Sequence, residues 1–253
     1  MRVAALYDVH GNLPALEAVL AEVEREQPDA IVFGGDIVAG PMPRETLERV
    51  LGLGEQVHLI RGNADRIVFE FRRGTREGAV GFVDNWVGEQ LSDEQAEFLE
   101  SLPLTVTLSV DGLGPTCFCH ATPRNDEEVF TERDPDEVVA GMLEGVEEQT
   151  VVCGHTHIQV DRQVGRWRVV NAGSVGIPFS GLGAHWAVLG TDVELRQTDY
   201  DREGAARLFR ETGWFESGDP ERKRQFVEAL VDGYHKEVML DFFEQWAAEQ
   251  RGA

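Results

Sequence analysis

Seven polar side chains whose types suit metal binding are spread over the first two thirds of the chain. They are four imidazoles and three side chains with carboxylate or amide oxygens: Asp8, His10, Asp36, Asn63, His120, His155 and His157. Such a mixed nitrogen and oxygen set suits Mn, Fe, Co, Ni or Zn and is poor for Ca²⁺. No cysteine is among them, which argues against a structural zinc site. Seven ligands are too many for one metal with an open position, and they suit two metals, roughly 3.5–4 Å apart, bridged by a carboxylate.

These side chains come directly after short apolar segments that have the pattern of buried strands. The segments lie at 3–7, 31–33, 57–60, 117–119 and 150–153. In an open α/β sheet the loops at the carboxyl ends of the strands build the site. We therefore expect residues that are scattered in the sequence to converge in space.

Helical patterns separate the first three predicted strands. Apolar residues recur at helical spacing from Leu13 to Val23, Pro28 ends that helix, and Pro43 opens the next one. Strand, polar loop and helix thus follow one another three times, which predicts a parallel α/β sheet.

The elements after the third strand are more mixed. Segments 67–71 and 92–102 are predicted to be helical, with Ser92 and Gln95 forming a capping box. A further helix is predicted to start with Asp134 as its N-cap and Pro135 at its first position. Further strands are predicted at 105–110, 167–170 and 186–189. From about residue 201 the pattern becomes helical, and we expect two or three helices that pack on the body or contact a partner.

Charge and cysteine content exclude several classes of protein. The chain has 253 residues, with 23 Lys and Arg against 46 Asp and Glu, a net charge of −23. A surface this acidic should repel a nucleic-acid backbone, so no extended nucleic-acid surface is expected. Three cysteines at no framework spacing argue against a secreted disulfide scaffold. With no signal peptide and no apolar stretch suited to a membrane, we expect a soluble cytoplasmic protein, with homo-oligomerisation left open.

Five short motifs, in order and at predicted strand ends, carry a family resemblance. They are Asp8-Val9-His10-Gly11-Asn12, Gly35-Asp36, Gly62-Asn63-Ala64-Asp65, Cys119-His120 and Gly154-His155-Thr156-His157. The chain resembles the calcineurin-like metallophosphoesterases, and in particular the small prokaryotic members of phosphodiesterase type. The resemblance covers roughly residues 1–190.

The resemblance implies a fold and a distribution of ligands. The implied fold is a four-layer αββα sandwich of two mixed β-sheets flanked by helices, which we expect over residues 1–200. The helical pattern further along predicts a C-terminal helical extension at 201–253 packed on the same domain. By resemblance, Asp8, His10 and His157 hold one metal, and Asn63, His120 and His155 hold the other. Asp36 bridges both and positions a hydroxide nucleophile. Two divalent transition-metal ions are implied, with manganese first and Fe, Ni, Co or Zn as alternatives.

The third motif departs from the family pattern. Ala64 stands where many members have a histidine that protonates the leaving group or binds phosphate, and a general acid contributes roughly 10²–10⁴-fold. Asp65, or Asp8, could orient a ligating imidazole. Asn12 could bind substrate or cap the first helix, and Arg124 could clamp a phosphate oxygen or form a surface ion pair.

Three functions remain open at this stage. The first is a dinuclear metal-dependent phosphodiesterase that acts on a small or nucleotide-like phosphoester. The second keeps the enzyme class but changes the substrate, to a phosphomonoester, a phosphoprotein or a dinucleoside polyphosphate. The third is a non-catalytic binding scaffold on the same fold, since a fold does not dictate a function.

Overall fold

Two five-stranded mixed sheets form the centre of the molecule. The computed structural model describes residues 1–77, 80 and 83–252. The strands are β1 (Val3–Leu6), β2 (Ala30–Phe33), β3 (Val57–Leu59), β4 (Thr105–Val110), β5 (Gly114–Cys119), β6 (Thr150–Cys153), β7 (Val160–Val164), β8 (Trp167–Asn171), β9 (Ala184–Leu189) and β10 (Val193–Thr198). The first sheet has the order β10-β9-β1-β2-β3 and the second β4-β5-β6-β8-β7. Each sheet has three adjacent parallel strands. In the first sheet, antiparallel β9 adjoins them on one side, and in the second, antiparallel β4 and β7 adjoin them on both sides.

Helices cover the outer faces of the sheets and continue to the end of the described chain. They are α1 (Leu13–Glu26), α2 (Pro43–Leu51), α3 (Asn63–Arg72), α4 (Asn85–Glu89), α5 (Asp93–Ser101), α6 (Asp136–Met142), α7 (Arg202–Glu211), α8 (Gly213–Glu216), α9 (Pro220–Asp232) and α10 (Lys236–Arg251). No helix in the described ranges is long and apolar enough to cross a membrane.

The alternation of side chains along the strands creates the layers. On β1, Val3 and Ala5 pack with Phe118 and Val152 of the second sheet, while Leu6 faces the helices with Leu16. On the far side of the second sheet, buried residues of β5, β6 and β8 pack against α6. The order helix, sheet, sheet, helix confirms the predicted four-layer sandwich. All three cysteines are buried and unpaired, on β5 and β6, as the sequence suggested.

The last fifty residues join the same packing. Phe209, Trp214 and Phe226 belong to the large core between the first sheet and its helices. Leu240 and Phe243 of α10 form a separate cluster with Ile158. The described chain has four helices in this region, not the two or three expected, because α8 is a single turn between two longer helices. A domain boundary at residue 200 stays a prediction.

Other differences from the sequence-based assignment have local causes. β7 and β10 were missed because they are edge strands whose exposed positions carry charged residues, so their apolar content is low. The sixth helix starts at Asp136, one position later than predicted, and its N-cap is Pro135. The Asp134 carboxylate instead accepts from the Thr131 N–H at 2.8 Å. The capping box of Ser92 and Gln95 is formed by both hydrogen bonds.

Candidate metal centre

The seven predicted ligands converge at the carboxyl ends of the parallel strands of both sheets. The loops that carry them are locked to one another by backbone hydrogen bonds. The His10 N–H donates to the Asp36 carbonyl at 2.8 Å, and the Gly154 N–H donates to the His120 carbonyl at 2.9 Å. The β1 and β2 loops are therefore held side by side, and so are the β5 and β6 loops.

Five of the seven ligands have a left-handed backbone. Their φ angles are 53° at Asp8, 49° at His10, 54° at Asp36, 66° at His155 and 55° at His157. This conformation costs an L-residue with a side chain of the order of 1–3 kcal/mol. Within the described ranges, Gln27 at the end of α1 is the one other residue besides glycine with positive φ. Backbone strain is thus concentrated where the predicted ligands meet.

One half of the cluster contains Asp8, His10 and His157. The Nε2 atoms of the two imidazoles lie 3.1 Å apart. Asp8 Oδ1 is 3.3 Å from His157 Nε2 and 3.9 Å from His10 Nε2. These three ligand atoms are close enough to hold one ion.

The other half contains Asn63, His120 and His155. The Asn63 Oδ1 lies 3.0 Å from His120 Nε2, and the rings of His120 and His155 have centroids 5.1 Å apart. Asp8 Oδ1 also lies 3.9 Å from His120 Nε2, so Asp8 reaches toward both halves.

Asp36 lies between the two halves. Its Oδ2 is 3.6 Å from His10 Nε2 and 3.6 Å from His120 Nε2. Its Oδ1 accepts a hydrogen bond from the Ala64 N–H at 2.8 Å, at the start of α3. One carboxylate oxygen is therefore fixed by the helix, while the other faces an imidazole from each half.

Backbone carbonyls orient three of the imidazoles. The Nδ1 atoms of His10, His120 and His157 lie 3.2, 2.8 and 2.8 Å from the carbonyl oxygens of residues 39, 34 and 177. A ring that donates a hydrogen bond from Nδ1 keeps the lone pair of Nε2 free to bind a metal ion. In each case Nε2 is the atom that faces the cluster.

Burial sets the protonation of the cluster. Burial lowers the pKa of His10 and of His155 to about 3, so both rings are neutral and able to bind a cation. Burial raises the pKa of the Asp36 carboxyl to about 7. Burial also pushes the pKa of Asp8 upward, but His157 and His120 outweigh it and leave that pKa well below its usual value.

Several polar atoms of the cluster lack a partner that a cation would supply. Asp8 Oδ1 and both ring nitrogens of His155 are buried with no well-formed hydrogen bond. Buried polar atoms are normally paired, because an unpaired one costs roughly 1–3 kcal/mol. Neutral imidazoles, carboxylates and unpaired buried acceptors together fit divalent cations.

Asp65 supports the site in a different way from the one expected. Its Oδ1 accepts from the N–H groups of Ile37 and Val38 at 2.9 and 3.2 Å, and its Oδ2 accepts from Gly62 N–H at 3.3 Å. These contacts tie the loop after Asp36 to the start of α3. The orientation of the imidazoles comes from the carbonyls described above.

The two expected substrate-binding residues lie elsewhere. Asn12 is buried: its Oδ1 caps α1 at the Ala15 N–H (3.1 Å), and its Nδ2 donates to Gly176 and Tyr200. Arg124 is 55% exposed and pairs with Glu128 on the surface. The structure does not bring either side chain to the cavity over the cluster.

A cavity of about 560 Å³ opens over the cluster, and its lining includes residues that were not predicted as site residues. Its floor contains His10, Asp36, Asn63, His155 and His157, and Ala64 lies beside them. Much of the rest of its lining comes from the C-terminal region, chiefly from aromatic side chains. In the sequence these aromatics have the spacing of an ordinary helix core face, so no local signal separated the two roles.

Comparison with known proteins identifies the family. Residues 1–194 match the model of the calcineurin-like phosphoesterase superfamily domain. The chain belongs to that superfamily. The five motifs that suggested it all lie within the matched residues and supply the clustered side chains.

Three relatives within or near this superfamily are informative. A metallophosphoesterase of Sphaerobacter thermophilus has a solved structure that is 26% identical, with a TM-score of 0.69, covering 91% of this chain and all of that one. The phosphodiesterase YfcE of Escherichia coli K12 is 24% identical over 76% of this chain and 89% of its own length. A symmetrical bis(5′-nucleosyl)-tetraphosphatase of Klebsiella pneumoniae is 33% identical over 53% of this chain and 49% of its own length.

Proposed function

We propose that this protein is a dinuclear, metal-dependent phosphodiesterase that acts on a small or nucleotide-like phosphoester. The position of Asp36 carries the proposal, because one oxygen lies 3.6 Å from an imidazole of each half of the cluster. That is the placement expected of a carboxylate shared by two ions. Membership of a phosphoesterase superfamily and the name of the Escherichia coli relative support the same reaction class.

The residues divide the work as follows. Asp8, His10 and His157 would hold one ion, and Asn63, His120 and His155 the other, with Asp36 between them. When bound, two divalent cations supply hydroxide near neutral pH and neutralise phosphoryl oxygens, which lets so acidic a protein accept an anion. Manganese is the metal we expect first, and Fe, Ni, Co and Zn suit the same donors.

Ala64 favours a diester substrate with a good leaving group over a monoester whose leaving group must be protonated. Its methyl group lies at the cavity and has no proton that it could transfer to a leaving group, while its N–H donates a hydrogen bond to Asp36. Without an acid at this position, esters with good leaving groups should react best.

Metal content measured together with activity tests the proposal. The protein is stripped of metal and titrated with Mn²⁺, while bis(p-nitrophenyl) phosphate and p-nitrophenyl phosphate are assayed in parallel. About two ions per chain with metal-dependent diester turnover is the expected result. Monoester turnover alone would assign the phosphatase alternative. Fewer than one ion and no turnover would leave a non-catalytic scaffold.

The Asp36→Asn variant tests whether one carboxylate serves both halves of the site. The change weakens both halves at once, so we expect diester turnover to fall by at least about 10³-fold, since metal ions contribute several kcal/mol to the transition state. Asp192→Asn is the matched control, because Asp192 lies in the turn after β9, beyond the opposite end of the first sheet. Near-normal turnover in Asp36→Asn would contradict the assignment.

The Klebsiella relative gives a second candidate substrate. It is named for a bis(5′-nucleosyl) tetraphosphate, and its similarity covers about half of this chain. Diadenosine tetraphosphate is therefore included in the same metal titration. Faster turnover of this compound than of the diester would favour the polyphosphate hydrolase.

A further inference from the structure

The wall of the cavity beside the candidate metal centre is aromatic. Its apolar members are Phe179, Tyr234, Met239, Phe242, Phe243 and Trp246, and we call this set the aromatic wall. Five of the six come from residues 234–246, which lie beyond the superfamily domain at 1–194. The superfamily domain therefore supplies the metal cluster, and the C-terminal region supplies most of the surface that a substrate would meet next to it.

The aromatic wall is continuous with both halves of the cluster. The ring of Trp246 is 5.3 Å from that of His155, centroid to centroid. The ring of Phe179 stacks on that of His157 at 4.6 Å, with 27° between the planes. A phosphoester bound at the cluster would therefore place one of its ester groups directly against these rings.

The arrangement of the rings suits a flat occupant. Phe243 and Trp246 are close to parallel, at 23°, with centroids 6.1 Å apart. Phe242, one turn before Trp246 on α10, is 53% exposed although it is a large aromatic side chain. Exposed apolar groups that line a cavity are typical of ligand sites, and stacking on an aromatic face is tolerant of which base is bound.

Polar groups at the same cavity favour a heteroaromatic ring over an aliphatic chain. The exposed side chains of Arg222, Gln245 and Glu249 belong to its lining, and Gln245 donates to Glu249 at 3.1 Å. Amide, carboxylate and guanidinium groups can pair with the ring nitrogens and amino groups of a base. An acyl chain has no polar atoms with which these side chains could form hydrogen bonds.

We propose that the aromatic wall is a subsite for a nucleobase carried by the phosphoester, an inference that rests on the proposed phosphoesterase function. The phosphate lies at the metal cluster, and the base stacks on the ring of Trp246 with its polar edge toward Gln245 and Glu249. It also contacts Phe242, whose ring is tilted by 51° to that of Trp246. Substrate selection thus belongs to α10, while the reaction belongs to the loops of the two sheets.

A pair of ligands that differ only by the base tests the subsite. Binding of adenosine 5′-monophosphate and of ribose 5-phosphate to the manganese-loaded full chain is measured by calorimetry, with free phosphate assayed in the same samples. We expect the nucleotide to bind about 10-fold tighter or more, the range of base–aromatic stacking. Quenching of tryptophan fluorescence by the nucleotide alone gives a second readout.

Variants on one helix locate the effect. Phe242→Ala should bring the affinity ratio close to one and leave the affinity for ribose 5-phosphate unchanged, and Trp246→Ala should also bring the ratio close to one. Because Phe242 is largely exposed, its truncation should not disturb the fold. Val238→Ala is the control, since Val238 is 63% exposed on the same helix and does not line the cavity. It should keep the ratio of the parent protein.

The outcomes separate the subsite from the proposed reaction. Equal affinities in the parent, no binding of either ligand at millimolar concentration, or tighter binding of hexyl phosphate than of the nucleotide would each overturn the subsite. An unchanged ratio in Phe242→Ala together with Trp246→Ala would do the same. A preference for the nucleotide without metal-dependent turnover of bis(p-nitrophenyl) phosphate would uphold the subsite and contradict the proposed function. Metal-dependent turnover of the diester without a preference for the nucleotide would support the proposed function and contradict the subsite.

Discussion

Ala64 has two roles that depend on different parts of the residue. Its backbone N–H donates to Asp36 Oδ1 at 2.8 Å, which any residue other than proline could do. Its methyl group is the part that differs from the histidine common in the family, and it lies at the wall of the cavity. A new side chain can therefore be introduced without removing the hydrogen bond that orients Asp36.

Ala64→His should restore a proton donor beside the cluster. We expect turnover of a diester with a poor leaving group, such as an alkoxide, to rise by about 10²-fold, within the range of general acid catalysis. Turnover of a p-nitrophenyl ester should hardly change, because its leaving group needs little protonation. The ratio of the two rates is the measurement.

Ala64→Gln controls for the size and polarity of the new side chain. It offers no titratable proton, so the ratio of rates should remain that of the parent protein. An equal gain in Ala64→Gln and Ala64→His would show that the effect comes from contact with the substrate and would contradict the acid role.

At the scale of elements, a buried lysine ties α9 to the elements around it. The Lys223 Nζ donates to Asp84 Oδ2 at 2.6 Å, to the Trp214 carbonyl at 2.7 Å, and to the Ser217 carbonyl and Oγ at 2.9 and 2.6 Å. The side chains of Lys223 and Asp84 are 1% and 8% exposed. Asp84 is also the N-cap of α4. One ammonium group therefore joins α4, α8 and α9.

Lys223→Met should destabilise the fold. It removes the cation but leaves the Asp84 carboxylate buried, and breaking a buried pair from one side costs about 3–5 kcal/mol. The free energy of unfolding from urea denaturation is the measurement. Arg224→Met is the matched control on the same helix, since Arg224 is exposed and pairs only with exposed Glu221, for a loss of at most about 1 kcal/mol. Similar losses in both variants would contradict a special role for Lys223.

At the scale of the whole molecule, the geometry of the cluster costs stability. Five of the predicted ligands have left-handed backbone conformations, and Asp8 Oδ1 and the His155 nitrogens are buried without well-formed hydrogen bonds. A cation that binds only the native state would offset these costs. The C-terminal helices share the core of the first sheet, so unfolding of the two regions should be coupled. Cytoplasmic location and homo-oligomerisation stay predictions.

Manganese should raise the melting temperature of the stripped protein. At a free concentration 100 times the Kd, native-state binding contributes about 2.7 kcal/mol at one site. For a chain of this length that corresponds to an increase in Tm of about 5–10 °C. Scanning calorimetry should show one transition with and without metal. Asp36→Asn should lose most of the shift, and two separate transitions would contradict the shared core.

The sequence by itself predicted the polar residue types, their strand-end positions and a parallel α/β sheet, and the family resemblance of its motifs implied the four-layer fold. This was possible because buried parallel strands have short apolar runs and end in conspicuous polar residues. It did not predict β7 and β10, whose exposed charged positions hide the strand pattern at the sheet edges. Apolar spacing also predicts that a helix face is buried without indicating what covers it.

Only the tertiary structure decided which residues meet and in what geometry. His10 and His157 are 147 positions apart in the chain, and the packing of the two sheets brings their Nε2 atoms to 3.1 Å from each other. Packing also set the carbonyls that orient the imidazoles and turned Asn12 into a helix cap. It placed Trp246 beside His155 as well as against the cluster of Leu240 and Phe243. Local patterns carry no information on such contacts, because they depend on how distant elements pack together.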